Sequence, residues 1–173
     1  MSRGPGRIQQ EIAALIVAHA DGAWTTAGLC QHVYGLVEKK HRIAVIRALE
    51  RIELPPLWTV CVLGHRGGEL CLYNTGDVTS TMRKQCFSRG EDGSDLAVLK
   101  DWGDRKRAKK DVRDAVRYHE ASPIEKIEIR LGNVREFVRC FGDGDGSGAE
   151  AIAQLEAELA ELQAAQPSPP RSR

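Results

Sequence analysis

The chain has 173 residues and a mass of 19.1 kDa, enough for one ordinary domain with an appendage or for two small domains. Hydrophobic residues at 42% and charged residues at 28% are a globular balance that excludes a disordered chain, and no apolar run approaches the roughly 20 residues of a membrane span. A net charge of +1 marks no partner in bulk, but six acidic and two basic residues follow Gly142, a net of −4 that leaves +5 on residues 1–142.

The polar start, MSRGPGR, and Glu11 just ahead of the apolar stretch from Ile12 to Ala20 lack the layout of a secretory signal, so the expected compartment is the cytoplasm. Residues 7–20 place Ile8, Ile12, Leu15, Ile16 and His19 on one helical face, and Asp21-Gly22 ends the run. A short apolar link through Ala23 and Trp24 leads to Thr25 and Thr26, both able N-caps, and to a short helix with Leu29, Cys30 and Val33 on one stripe, closed by Gly35. The third helix is expected over 39–53, with Ile43, Ile46, Leu49 and Ile52 inward and Lys39, Lys40, Arg42, Arg47 and Arg51 mostly outward.

Leu54-Pro55-Pro56 stops that helix. LWTVCVLG and ELCLYN flank His65-Arg66-Gly67-Gly68 and read as a hairpin, because a tight turn needs residues that tolerate positive φ. Residues 75–95 are polar and read as loop, and 77–103 are assigned as a linker. Helical spacing returns over 104–119, within a helical region that extends to 141. Ser122-Pro123-Ile124-Glu125 is a capping box with proline at the first helical position. Gly132-Asn133 is expected to break the helix begun there, before Val134–Phe141. Residues 142–148 are a Gly-rich joint, 149–166 an amphipathic helix and 167–173 a disordered tail. The fold class is thus mainly α with a small β-hairpin, an α+β chain.

Helix, short link with a tryptophan, short helix, basic helix, Pro-Pro and a Gly-tipped hairpin follow one another over residues 7–76. This order, with DGAWTTAGLCQHVYG followed by HRIAVIRALERI, resembles the winged helix-turn-helix superfamily of bacterial regulators. The resemblance implies a domain over 1–76 that reads double-stranded DNA, its third helix in the major groove and its wing on phosphates. Lys39, Lys40, His41 and Arg42 stand at the leading end of that helix, with Arg47 and Arg51 further along. Arg42 is the expected guanine contact, Lys40 a phosphate contact, and His65 and Arg66 at the hairpin tip reach backbone or minor groove. Against this stands the plain reading that any amphipathic helix needs a solvated charged face.

Arg105, Lys106, Arg107, Lys109 and Lys110 put five cations within six residues, a possible second phosphate-binding surface. Docking of these cations on the acidic C-terminal helix is equally open. In that last helix Ile152, Leu155, Leu159 and Leu162 step as an a/d seam too short to stand alone, so it is expected to join a homodimer or a helical protein partner. Five cysteines, an odd number without C-x-x-C, read as reduced thiols. Cys61, His65, Cys71 and Cys86 match no zinc spacing, and the Asp143–Gly148 loop departs from a calcium loop at Glu150 and Gln154, so no metal or cofactor is assigned. With no phosphate loop, G-x-S-x-G or H-E-x-x-H, no catalytic residues are assigned and an enzyme is not expected. The expected function is a sequence-specific DNA-binding transcriptional regulator. A protein-interaction adaptor is the alternative class, and a replication or plasmid-maintenance factor would use the same DNA contacts.

Overall fold

A computed structural model describes residues 6–64, 69–91, 93 and 102–165. His65 and Arg66, expected at the hairpin tip, and the expected tail lie outside them. Among the described residues the chain is mainly helical with one three-stranded antiparallel sheet, an α+β architecture. It divides into two compact units, Met1–Val116 and Arg117–Arg173. No helix among the described residues is long and apolar enough to cross a membrane.

The first unit opens with α1 (Arg7–Ala18), whose Ile12, Leu15 and Ile16 are buried as their spacing predicts. The link through Ala23 and Trp24 is a strand, β1 (Ala23–Thr25). Thr25 caps α2 (Thr26–Tyr34) by accepting from the Gly28 amide at 3.2 Å, and Gly35 ends that helix at φ 71°, a conformation glycine adopts without steric cost. Next come α3 (Lys39–Leu49), β2 (Trp58–Leu63) and β3 (Glu69–Asn74). The sheet order is β1-β3-β2, so β3 pairs on both sides.

That central position explains the composition of β3. Leu70 and Leu72 face one side of the sheet with Trp24, Trp58 and Val60, against Ile12, Leu15, Ile16, Leu29, Val45 and Leu49 of the three helices. Cys71 and Tyr73 face the other side with Ala23, Cys61, Leu63 and Phe87. A strand buried on both faces loses alternation and becomes a continuous apolar run, which is what LCLY is. Trp24 and Trp58 stack at 5.9 Å across the first face.

The second sheet face is covered by a helix where the sequence reads as loop. α4 (Val78–Ser88) corrects the expectation of a polar linker from 77 to 103. Its signals are an N-cap, Asp77 accepting from the Ser80 amide at 2.8 Å, and Val78, Met82 and Cys86 at i, i+4 and i+8. That apolar stripe is narrow, and polar contacts hold α4 as well. The buried Ser80 hydroxyl donates to the Gly22 carbonyl and accepts from the Asn74 amide, tying α4 to the turn before β1 and to the end of β3. α5 (Trp102–Glu120) then sets Ala108 against Met82 and Cys86.

The second unit contains the hairpin of α6 (Pro123–Phe141) and α7 (Ser147–Ala165). The capping box forms as its residues predict, the Ser122 hydroxyl accepting from the Glu125 amide and the Glu125 carboxylate from the Ser122 amide. The expected break at Gly132-Asn133 does not occur: α6 is continuous, because Leu131 and Val134 on either side pack against α7 and outweigh the roughly 1 kcal/mol a helical glycine costs. In the connecting loop the Asp143 carboxylate accepts from the amides of Gly148 and Ala149, both at 2.8 Å. The loop carboxylate therefore serves the amino end of α7, where a negative charge is favoured.

Candidate nucleic-acid interface

The orientation of α3 decides which of its cations face outward. Val45, Ala48 and Leu49 are buried, with His41 and Ile52 toward the same side, whereas Ile43 is 41% exposed. The inward stripe is thus rotated from the expected Ile43-Ile46-Leu49-Ile52 line. Both lines have helical spacing, and the choice between them rests on the fit of the smaller Val45 and Ala48 against α1 and α2.

This rotation separates the six candidate residues of α3 and its end. Lys39, Lys40, Arg47 and Arg51 are exposed on the outer side. Lys40 pairs with Glu38 at 2.8 Å, an exposed contact that holds the Glu38 carboxyl below its usual range and raises the Lys40 ammonium. His41 stacks on Tyr34, with ring centroids 4.1 Å apart, and its Nδ1 is buried without a hydrogen bond. Arg42 lies on the flank, 3.7 Å from the Glu69 carboxylate of β3.

Glu69 explains the position of Arg42. Its side chain is only 9% exposed, and it accepts from the Ala27 amide in the first turn of α2 at 3.2 Å. Beside it the buried Thr26 hydroxyl accepts from the Leu70 amide at 3.1 Å. One carboxylate therefore joins the amino end of α2, the flank of α3 and the start of β3. Arg42, expected to be the guanine reader, supplies the positive charge that this nearly buried carboxylate requires.

The outer side of α3 gains a cation that helical spacing within α3 does not reveal. Arg7 and Gly6 at the start of α1 line a cleft of about 320 Å³ with Ile8, Gln9, Ala44, Ala48, Arg47 and Arg51. Three arginines thus line one groove between α1 and α3. The usable signal was Arg7 as the first residue of an amphipathic helix, next to its first inward side chain, Ile8.

On α5 the cations Arg105, Lys106, Arg107, Lys109 and Lys110 are all exposed. Some are engaged within the helix: Arg107 bonds to Asp104 at 2.5 Å and Lys110 pairs with Asp114 at 3.3 Å. In the second unit the carboxylates of α7 meet arginines of α6, Glu156 with Arg135 at 2.6 Å and Glu158 with Arg130 at 3.9 Å. The seam residues also lie inward there. Leu155 is buried against Ile127 and Leu131, with Val134, Ile152, Leu159 and Leu162 around them. The expected seam for a second chain is therefore occupied by α6 of the same chain, to which a short loop joins α7.

No protein-family model matches the chain, and no curated protein or solved structure matches it.

Proposed function

We propose that the first unit is a winged helix-turn-helix module that binds double-stranded DNA, and that the protein is a sequence-specific transcriptional regulator. The observation that carries this reading is the element order α1-β1-α2-α3-β2-β3 with sheet order β1-β3-β2, which leaves the outer side of α3 exposed and basic. In such a module the exposed side of the second motif helix lies in the major groove and flanking cations neutralise phosphates. Lys40, Arg47 and Arg51 take that role, with Arg7 on a neighbouring phosphate. Arg42 holds the frame.

The test is titration of the protein against fluorescent duplex DNA over a range of salt concentrations. Lys40→Ala/Arg47→Ala/Arg51→Ala should weaken binding strongly and flatten the log–log salt dependence by about 0.9 for each phosphate no longer neutralised. Binding that is weak, insensitive to salt and unchanged in the triple variant would overturn the reading.

One observation favours the adaptor class. Leu36, Val37 and Ile43 are 44%, 41% and 41% exposed, on or beside the same helix-turn-helix face. A protein partner would cover these side chains, and its binding would fall on Ile43→Asp while tolerating salt.

A further inference from the structure

β2 and β3 bring together two thiols ten residues apart in the chain. The register sets Cys61 directly opposite Cys71. Both project from the sheet face that also carries Ala23, Leu63 and Tyr73 and meets Phe87 of α4. Just beyond the strands the Thr75 amide donates to the Leu57 carbonyl at 2.7 Å. Counting along the ladder in steps of two from that bond, Cys61 and Cys71 are a hydrogen-bonded pair, a geometry with Cα atoms about 5.5 Å apart. That spacing lies inside the window of roughly 4.4–6.8 Å in which a disulfide closes.

The two sulfurs are not equivalent. Cys71 is fully buried, whereas Cys61 is half-buried and is the more exposed of the two. The neighbouring Cys71 thiol pulls the Cys61 pKa down to about 7 against the opposing effect of burial, with the Lys84 ammonium adding to the pull. Lys84 is held on that side of the sheet over the Tyr73 ring, 5.8 Å from its centroid. The adjacent Cys61 and burial raise the Cys71 thiol, which keeps its proton and donates to the Leu72 carbonyl at 3.9 Å. One accessible thiolate beside one protonated resolving thiol is the arrangement of an oxidisable pair.

We propose that Cys61 and Cys71 form a two-electron oxidation site whose substrate is a hydroperoxide and whose product is a cross-strand disulfide near the tip of the β2–β3 hairpin. The Cys61 thiolate attacks the terminal peroxide oxygen. An S–O bond forms, the O–O bond breaks, and the departing alkoxide takes a proton to leave as an alcohol, or as water from hydrogen peroxide. The Cys71 sulfur then attacks the Cys61 sulfenic acid, forming the S–S bond. Hydroxide is expelled and leaves as water with the proton from Cys71. Two thiols and one hydroperoxide give one disulfide, one alcohol and one water. Closure draws Cβ atoms about 4.5–5.5 Å apart to about 3.8 Å, and that strain makes the bond readily reducible by free thiols. The site is thus a reversible switch rather than a permanent staple, and it is independent of the DNA-binding reading.

The test uses the full chain in a Cys140→Ser background, which removes the exposed fifth thiol. After stoichiometric hydrogen peroxide and alkylation under denaturing conditions, intact mass should show two alkylated thiols instead of four. Proteolytic mapping should join the peptides of Cys61 and Cys71, and dithiothreitol should restore all four thiols. Cys71→Ser should stop at a sulfenic acid on Cys61, trapped by dimedone, and Lys84→Gln should slow the first step several-fold near neutral pH. Four alkylatable thiols after peroxide treatment of the background protein, or a disulfide mapped to any other pair, would overturn the proposal without requiring any cysteine variant of the pair to fold.

Discussion

At the scale of single residues, the structure assigns side chains by the burial of their partners. Arg42 and Arg47 are both cations of one helix, yet only Arg42 meets a nearly buried carboxylate. Arg42→Ala should lower stability by about 1 kcal/mol, seen as a Tm fall of roughly 2–4 °C, with a smaller effect on DNA affinity than Arg47→Ala. Thermal melts and titrations on the two variants check this, and the opposite ranking would return Arg42 to the groove. Ser80 presents a sharper case. Its hydroxyl serves Gly22 and Asn74 at once in a fully buried position, so Ser80→Ala leaves a carbonyl and an amide without that partner. The expected cost is about 1–3 kcal/mol, measured by urea denaturation.

Among the elements, α4 and α5 are joined by polar contacts as much as by Met82, Cys86 and Ala108. Asp104, with a side chain 9% exposed, lies 2.5 Å from Arg107 and 2.8 Å from Arg89, which follows α4. The Arg107 guanidinium first, then that of Arg89, holds the Asp104 carboxyl below its usual range. A carboxyl depressed in the folded state contributes stability that is complete above its unfolded pKa and disappears as pH falls through the folded value. The Tm difference between the wild type and Asp104→Asn should therefore be widest near neutrality and shrink as pH drops below about 4. A difference constant from pH 7 to pH 2 would show that the charge is not what Asn removes.

The second unit shows how one seam admits two assemblies. Ile152, Leu155, Leu159 and Leu162 read as a surface for another chain, and here they rest on α6. Leu155→Asp with Leu159→Asp should lower helix content and melting temperature, as the α6–α7 pair loses its buried leucine. Sedimentation should show no fall in mass. A halved mass with helicity retained would mean instead that the seam joins two copies.

For the whole molecule, the elements legible in the sequence are those with strong local codes. The stripe of α1, the threonine cap and glycine stop of α2, the Pro-Pro break, the apolar strands of the hairpin and the capping box of α6 each contain their signal within a few residues. These suffice to establish an α+β chain that is mainly helical, with a small β-hairpin. Local codes fail where the deciding partner is distant in the chain. α4 lacks a broad apolar stripe and is held by Gly22, Asn74 and the sheet. β1 has three residues and is a strand only because β3 lies beside it. α3 carries two plausible inward lines, and the surfaces of α1 and α2 select between them.

The candidate site divides the same way. The sequence by itself determined that cations cluster on α3 and α5 and that the last helix must be covered, because composition and helical spacing are properties of the chain. Tertiary structure alone decided which cations face outward, that Arg7 joins Arg47 and Arg51 along one cleft, that Arg42 is drawn to Glu69, and that Cys61 faces Cys71. The physical reason is that burial and pairing depend on distances between elements, which spacing within a single element does not encode.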